Sequence, residues 1–366
     1  MSDAFQIFLV VPPGLEQPLA DEARAQAFKV TRIDKGGVTI SGNWQDVWRA
    51  NLKLRGATRV LARLTEFHAV HLSQLDKRAR KLPWDQWLRP DLPVKVDATC
   101  RASKIYHDRA AAQRIETAIT ETLGAPISKD AALTLKVRIE NNLVTLSLDT
   151  SGEALHKRGH KTHVNKAPMR ETLAANFLRL AGYTGAETVY DPMCGSGTFP
   201  IEAAEIANGI DPGRSRSFAF EHLASFDPDC FAALTTETTP SPLTFYGSDR
   251  DAGAIKMSRA NAERAGLSQS VRFDHKSISD IVPPQDSPGL VILNPPYGAR
   301  IGNKKPLFGL YGSFGSVMRE RFQGWRVALI TSDPGLAKAT ELPFRSTSQA
   351  IDHGGIRIKL YQSDVL

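Results

Sequence analysis

Apolar positions along the chain recur with two different periods, and the balance between them shifts partway. "FQIFLVV" at residues 5–11 reads as a strand, stopped by Pro12, Pro13 and Gly14. "LEQPLADEARAQAF" then has helical spacing, and "KVTRIDKGGVTISG" reads as a hairpin with Gly36-Gly37 at its turn. "NWQDVWRANLKL" predicts a helix with Asn43 at the N-cap, and "RVLARLTEF" a further strand. The βαββαβ order predicts a small α+β, ferredoxin-like module over residues 1–65.

Residues 66–150 vary the theme. A helix is expected near "HLSQLDKRARKL", a strand at "PVKVDATC", a helix over "DRAAAQRIETAITETL", and strands at "LTLKVRIE" and "LVTLSLDT". Asn141-Asn142 between the last two tolerate the positive φ of a tight hairpin turn. Residues 151–170 form a connector rich in His, Lys and Arg. "TLAANFLRLAGY" follows as an amphipathic helix closed by Gly182. From Glu187 the pattern becomes alternation. The short runs "ETVYDP", "TFYGSD", "SVRFDH", "LVILNP" and "WRVALITS" are separated by helical stretches such as "TFPIEAAEIANG", "AGAIKMSRANAERAG" and "YGSFGSVMRERFQ". Such alternation predicts an α/β fold with a doubly wound, Rossmann-like parallel sheet over residues 171–366, and "STSQAIDHGGIRIKLYQ" a closing hairpin.

Composition narrows the picture. The three cysteines, Cys100, Cys194 and Cys230, are widely spaced and form no CxxC. That argues against a disulfide framework and a cysteine-based zinc site, and suits a reducing cytosol. No apolar run approaches the roughly 20 residues that span a bilayer. "MSDAFQIFLVVPPG" has no basic leader, so a cytoplasmic location is expected. Charge is uneven: residues 1–165 hold 25 Lys/Arg against 18 Asp/Glu, and residues 166–366 hold 21 against 21. The whole positive excess lies in the first part, which fits a polyanionic partner there, although Lys and Arg also serve to solvate helix faces.

Candidate chemistry gathers at predicted strand ends. "DPMCGSGT" places Asp191, Pro192, Met193, Cys194, Gly195, Ser196, Gly197 and Thr198 in a turn leading into a helix. Two glycines let the turn pass close to a ligand, and the helix start offers N–H groups to an anion. No third glycine completes a dinucleotide fingerprint and no Walker lysine follows. An acidic residue opening the loop suits a ligand bearing an ammonium beside a carboxylate, as S-adenosylmethionine does. Asp249 ends the next strand, where it could accept both ribose hydroxyls; an N-cap role for the following helix is open to it and to Asp251. Beyond the third strand, Ser277 or Asp274 could receive an adenine amine. "LVILNPPYG" ends a buried strand abruptly, because two prolines cannot continue it. The result is a stiff corner presenting Asn294 and Tyr297, suited to a flat hydrogen-bonding ring.

"DPMCGSGT", "GSDRDAGAIKMSRANAERAG" and "NPPYGARIG", in that order, resemble class I S-adenosylmethionine-dependent methyltransferases acting on amino nitrogens. "LHKRGHKTHVNKAPMRETLAANFL" and "LYGSFGSVMRERFQGWRVALITS" resemble a narrower group, the bacterial THUMP-domain RNA guanine-N2 methyltransferases that modify large-subunit ribosomal RNA. The resemblance implies a THUMP-like RNA-binding module over residues 66–150. It implies S-adenosylmethionine held by residues 191–198, Asp249, Arg250, Ser277 and Asn294. At position 277 this chain has Ser where related enzymes often carry Asp. Catalysis would fall to Asn294, Pro295, Pro296 and Tyr297, with Asn294 and the Pro295 carbonyl accepting the amine N–H groups and Tyr297 stacking on the base.

A base must be unstacked to enter such a corner. Expected RNA contacts are Arg101, Lys104, Arg109 and Arg114 beside Tyr106, and, in the connector, Lys157, Arg158, Lys161, Lys166 and Arg170. The connector is preferred because it enters the catalytic domain beside the site. His156, His160 and His163 lack the carboxylate or cysteine partners of a metal site, so no metal is expected. The alternatives are a tRNA guanine-N2 enzyme, a DNA adenine-N6 enzyme using the same corner, or a non-catalytic ribosome-assembly protein. A cytosine-C5 enzyme is disfavoured because Cys194 lies on the cofactor loop rather than by the base.

Overall fold

The computed structural model describes residues 4–161, 169–284, 288–297 and 305–366. Their backbone contacts divide the chain into two compact units. The first comprises residues up to Val11, Ala20–Leu155 and Arg216–Thr235; the second comprises Pro12–Leu19, His156–Ser215 and the chain from Thr236 onward.

In the first unit, β1 (Phe5–Val10), β2 (Lys29–Asp34), β3 (Gly37–Gly42), β4 (Arg59–His68), β5 (Val94–Arg101), β6 (Leu133–Glu140) and β7 (Leu143–Asp149) make one seven-stranded sheet. Its order is β2-β3-β1-β4-β7-β6-β5; helices α2 (Trp44–Lys53), α3 (Leu72–Ala79) and α4 (Asp108–Leu123) lie between its strands, as does α1 (Glu16–Ala25), which belongs to this unit from Ala20 on. The β2-β3-β1-β4 portion is the ferredoxin-like arrangement expected of βαββαβ. Antiparallel pairing of β4 with β7 then carries the same sheet through the next three strands. Local chemistry sets the boundaries. Asn43 and Asp46 exchange side-chain and backbone hydrogen bonds at the start of α2. Asn141 and Asn142 turn with φ of 51° and 64° between β6 and β7. Gly36 provides the positive φ of the β2–β3 turn, but Gly37 is already in β3, where a Cβ would lie 2.2 Å from Phe8.

Beyond Leu155 the chain forms β8 (Val189–Asp191), β9 (Phe245–Asp249), β10 (Val271–His275), β11 (Leu290–Leu293), β12 (Arg326–Thr331), β13 (Phe344–Thr347), β14 (Ile351–His353) and β15 (Ile356–Val365). Its helices are α5 (Glu171–Leu180), α6 (Thr198–Ala207), α7 (Pro228–Ala232), α8 (Ala252–Arg264), α9 (Lys305–Arg321) and α10 (Pro334–Ala339). The sheet order is β10-β9-β8-β11-β12-β15-β13, with β14 on β15. Strands β8 to β12 pair in parallel, while β15 runs antiparallel to β12 and β13. The chain starts mid-sheet at β8, builds outward to β10, then crosses back to β11. The strand order therefore reverses between β8 and β11, the crevice where open α/β sheets bind ligands at their carboxyl ends.

One segment departs from the sequential picture. Residues 216–235, which include α7, follow α6 in the chain yet belong to the first unit. There Phe226 and Phe220 pack on Trp48 at ring separations of 5.7 and 6.3 Å, Phe231 lies 5.2 Å from Phe220, and the Phe220 N–H donates to the Thr150 carbonyl.

Candidate functional site

Asp191 ends β8 at the reversal point, 3% exposed. It accepts the Met193 N–H at 3.0 Å, which starts the turn of residues 191–198. Burial pushes its carboxyl well above the usual range, and the nearby Asp249 carboxylate adds to the rise. No cation among the described residues pairs with it. The turn then closes by Gly197 N–H to the Cys194 carbonyl at 2.8 Å. Gly197 has φ of 82° and a Cβ there would sit 2.8 Å from Phe273, so the loop rests directly on β10. Gly195 has φ of 53°, and a Cβ there would meet nothing within 4 Å, so this side of the loop is open. Helix α6 follows without a side-chain cap, leaving the first N–H groups for another acceptor. Cys194 is buried, its sulfur 3.8 Å from the Ser258 hydroxyl, and burial pushes its thiol well up. It is packing.

Asp249, at the end of β9, knits the loops together. One carboxylate oxygen accepts Gly195 N–H at 3.0 Å and the other accepts Asp251 N–H at 2.9 Å. Each keeps a lone pair for a further donor. The N-cap of α8 is Asp251, which accepts Gly253 N–H at 2.8 Å, so the capping role open to Asp249 is filled by its neighbour. Lys276 N–H bonds the Asp249 carbonyl and the His275 ring contacts the Arg250 carbonyl, fixing the next loop beside it. Ser277 donates to Asp280 at 2.6 Å, while Asp274 pairs with Lys276.

Strand β11 pairs directly with β8 and ends one residue before Asn294. The Asn294 Oδ1 is buried and accepts no hydrogen bond from a described residue. Leaving such an acceptor unmet costs about 1–3 kcal/mol, which marks a position shaped for a donor. Behind it, Tyr311 of α9 points its hydroxyl at the Pro296 carbonyl (3.3 Å) and the Thr331 hydroxyl (3.4 Å), bracing the corner. Tyr297 packs against the apolar cluster containing Leu293 and Tyr311, and its hydroxyl lies 3.3 Å from His353 Nδ1. Burial pushes the Tyr297 phenol up to about 12. It stays neutral near pH 7 and is no general base. Tyr311 and His353 carried no signal in the chain; an aromatic–glycine stretch and a hairpin turn look the same wherever they pack.

The expected RNA contacts divide. Arg101, Lys104, Arg109 and Arg114 are all exposed in the first unit, with Tyr106 73% exposed and its ring tilted against that of His107, centroids 4.5 Å apart. Lys157 and Arg170 are exposed in the second unit. Arg158 and Lys161 are not surface cations. Arg158 is 2% exposed and pairs with Glu202 at 3.2 Å, while Lys161 is 9% exposed and pairs with Glu171 at 3.0 Å. Lys161 also donates to the Thr198 hydroxyl at 2.8 Å and the Met169 carbonyl at 2.9 Å. Their expected role is therefore corrected: buried carboxylates on α5 and α6 draw both side chains inward, where Lys161 holds Thr198 at the end of the 191–198 turn and Arg158 holds Glu202 of α6. Lys166, His163 and the residues after Tyr297 in "NPPYGARIG" lie outside the described residues. Among the described residues no cluster could hold a metal ion, and no helix is long and apolar enough to cross a membrane.

Comparison with known proteins identifies the family and the fold. Residues 158–359 match the RMKL-like methyltransferase domain (UPF0020), and residues 6–61 match the RlmL ferredoxin-like domain. The chain is 30% identical over 373 residues to the "Putative RNA methyltransferase slr0064" of Synechocystis sp., covering 98% of this chain and 96% of that one. It is 34% identical over 360 residues to the "Ribosomal RNA large subunit methyltransferase K/L" of Syntrophotalea carbinolica, covering 92% of this chain and 50% of that protein. The chain thus spans about half the length of the K/L relatives it matches. The solved structure of SMU.472, "a putative methyltransferase complexed with SAH", superposes with a TM-score of 0.88 at 25% identity, covering 99% of this chain and 98% of that one.

Proposed function

Since the chain belongs to the RMKL-like methyltransferase family, we propose that it transfers a methyl group from S-adenosylmethionine to the exocyclic N2 of a guanine in RNA, with 23S ribosomal RNA as substrate and the cytoplasm as its place of work. The observation that carries the reading is the buried Asn294 Oδ1, which accepts no hydrogen bond from a described residue and lies just past the end of the strand that pairs with β8.

The residues present fit the cofactor. Asp191, buried with no cationic partner among the described residues, suits an ammonium, and the uncapped start of α6 suits a carboxylate. Asp249 has lone pairs left for ribose hydroxyls, and Gly195 leaves room above the loop. Ser277 and Arg250 would line the adenine side. When bound, the cofactor supplies an electrophilic methyl on a sulfonium centre, whose departure leaves a neutral thioether.

The chain's own residues do the rest by positioning. A guanine amine is a weak nucleophile because its lone pair is delocalised into the ring. Asn294 Oδ1 and the Pro295 carbonyl would accept its two N–H bonds and so turn the lone pair toward the methyl carbon. Tyr297 offers a ring face for the base, and Tyr311 keeps the prolines from shifting. With the methyl taken up, the nitrogen would release its extra proton to solvent, so the corner would need no strong general base. The exposed cations of the THUMP-like segment, Arg101, Lys104, Arg109 and Arg114, with Lys157 and Arg170, would supply salt-sensitive affinity for the RNA backbone.

The test is methyl transfer from labelled S-adenosylmethionine to 23S rRNA from cells lacking the gene, with nucleoside analysis. Label in N2-methylguanosine, reduced at least about a hundredfold by Asn294→Ala while S-adenosylhomocysteine still binds, is expected. Label in methyladenosine would move the substrate base. Absence of label with the cofactor bound would overturn the reading.

A further inference from the structure

The closing hairpin reaches the carboxyl edge of the parallel strands. Strand β12 ends at Thr331, opposite Lys359 of the antiparallel β15. The residues of β15 before Lys359 therefore continue past the carboxyl edge of the parallel strands. There they pair with β14: Ile351 with Ile358, Asp352 with Arg357, and His353 with Ile356. The hairpin's two faces differ. Ile351, Ile358 and Leu360 are fully buried, and Ile351 packs against Gly14, where a Cβ would lie 3.3 Å from its side chain. Asp352, Arg357 and Lys359 face solvent.

This projecting strap is joined to the catalytic corner, because His353 Nδ1 lies 3.3 Å from the Tyr297 hydroxyl. Arg357 and Lys359 share one strand face, about 7 Å apart at 3.4 Å per residue. Neither forms an ion pair with a described residue, although the sheet places Asp352 directly across from Arg357. Asp352 is engaged instead by the Gly355 N–H at 3.0 Å, the bond that shapes the turn. Two uncompensated cations on a rigid strand, beside a corner that receives a flat base, are complementary to a phosphodiester backbone.

We propose that the solvent face of the β14–β15 hairpin is an RNA-backbone site, in which Arg357 and Lys359 hold phosphates adjoining the target nucleotide and His353 sets the position of Tyr297. The inference rests on the reading of the chain as an RNA methyltransferase. The contacts are to backbone, so they orient the strand without selecting its sequence.

The experiment compares the full chain with its Arg357→Ala/Lys359→Ala variant, binding a 23S rRNA transcript in saturating S-adenosylhomocysteine over a range of salt. Loss of two single-strand phosphate contacts should weaken binding about tenfold at moderate salt and flatten the log–log salt slope by about 1.4. The melting temperature and the S-adenosylhomocysteine affinity should stay at wild-type values, and Arg357→Lys should keep the slope. An unchanged slope in the double variant overturns the inference. Failure of the wild-type chain to bind S-adenosylhomocysteine, or to methylate the transcript, would instead overturn the reading on which it rests.

Discussion

At the scale of single residues, the site is built from groups that are poorly served by the protein itself. Asp191 is the clearest case. Burial raises its carboxyl, so the folded chain keeps that proton to a higher pH than the unfolded chain, whose aspartate titrates near about 3.9. The folded state then binds more protons through that window, and stability falls as pH rises from the unfolded value toward the folded one. Asp191→Asn removes the loss. The ligand-free variant should melt higher than wild type at pH 8, with the gap closing as pH falls toward 4, while its affinity for S-adenosylhomocysteine drops at least about tenfold. Thermal melts across pH and calorimetric titration check both halves. A variant no more stable than wild type at pH 8 would show that Asp191 is not strained in the free protein.

At the scale of elements, the connector shows how distant partners override local composition. "LHKRGHK" is basic, and basic segments in loops are commonly solvated or bound to anions. What decides Arg158 and Lys161 is Glu202 and Glu171, tens of residues away on one helix and ten away on another. Removing one member of a buried ion pair costs about 3–5 kcal/mol. Arg158→Met should therefore lower unfolding stability by that order in urea titrations, Arg158→Met/Glu202→Leu should recover most of it, and the salt slope of RNA binding should not move. The strand-end motifs were legible because their logic is local: glycines for a tight turn, an acid after a strand, prolines that forbid continuation. The helix over "DRAAAQRIETAITETL" and the Asn141-Asn142 turn were legible for the same reason. Tyr311 behind the prolines, His353 beside Tyr297, and the short strand β13 depend on partners distant in the chain, and no local pattern announces them.

At the scale of the whole molecule, charge and fold divide the labour. The positive excess belongs to residues 1–165, and the exposed Arg101, Arg109 and Arg114 lie within it. Arg101→Ala/Arg109→Ala should weaken binding to rRNA and to unrelated RNA alike and flatten the salt slope, with the rate of methyl transfer at saturating RNA unchanged. Filter binding against both RNAs, with single-turnover rates alongside, distinguishes this from an effect on chemistry. A rate that falls together with affinity would place these arginines in orienting the target rather than in collecting it.

The stretch from Arg216 to Thr235 carries a consequence for how such a protein can be inherited. Written out as text, the chain invites cutting at the connector into an amino-terminal half and a methyltransferase half. In space, Phe220, Phe226 and Phe231 are encoded by the second half and clothe Trp48 of the first. A single genetic crossover at the connector would strip one partner of its aromatic cover and leave the other with those rings bare to water. The two halves are stitched rather than strung, and exchange of either one requires moving a thread of its neighbour with it.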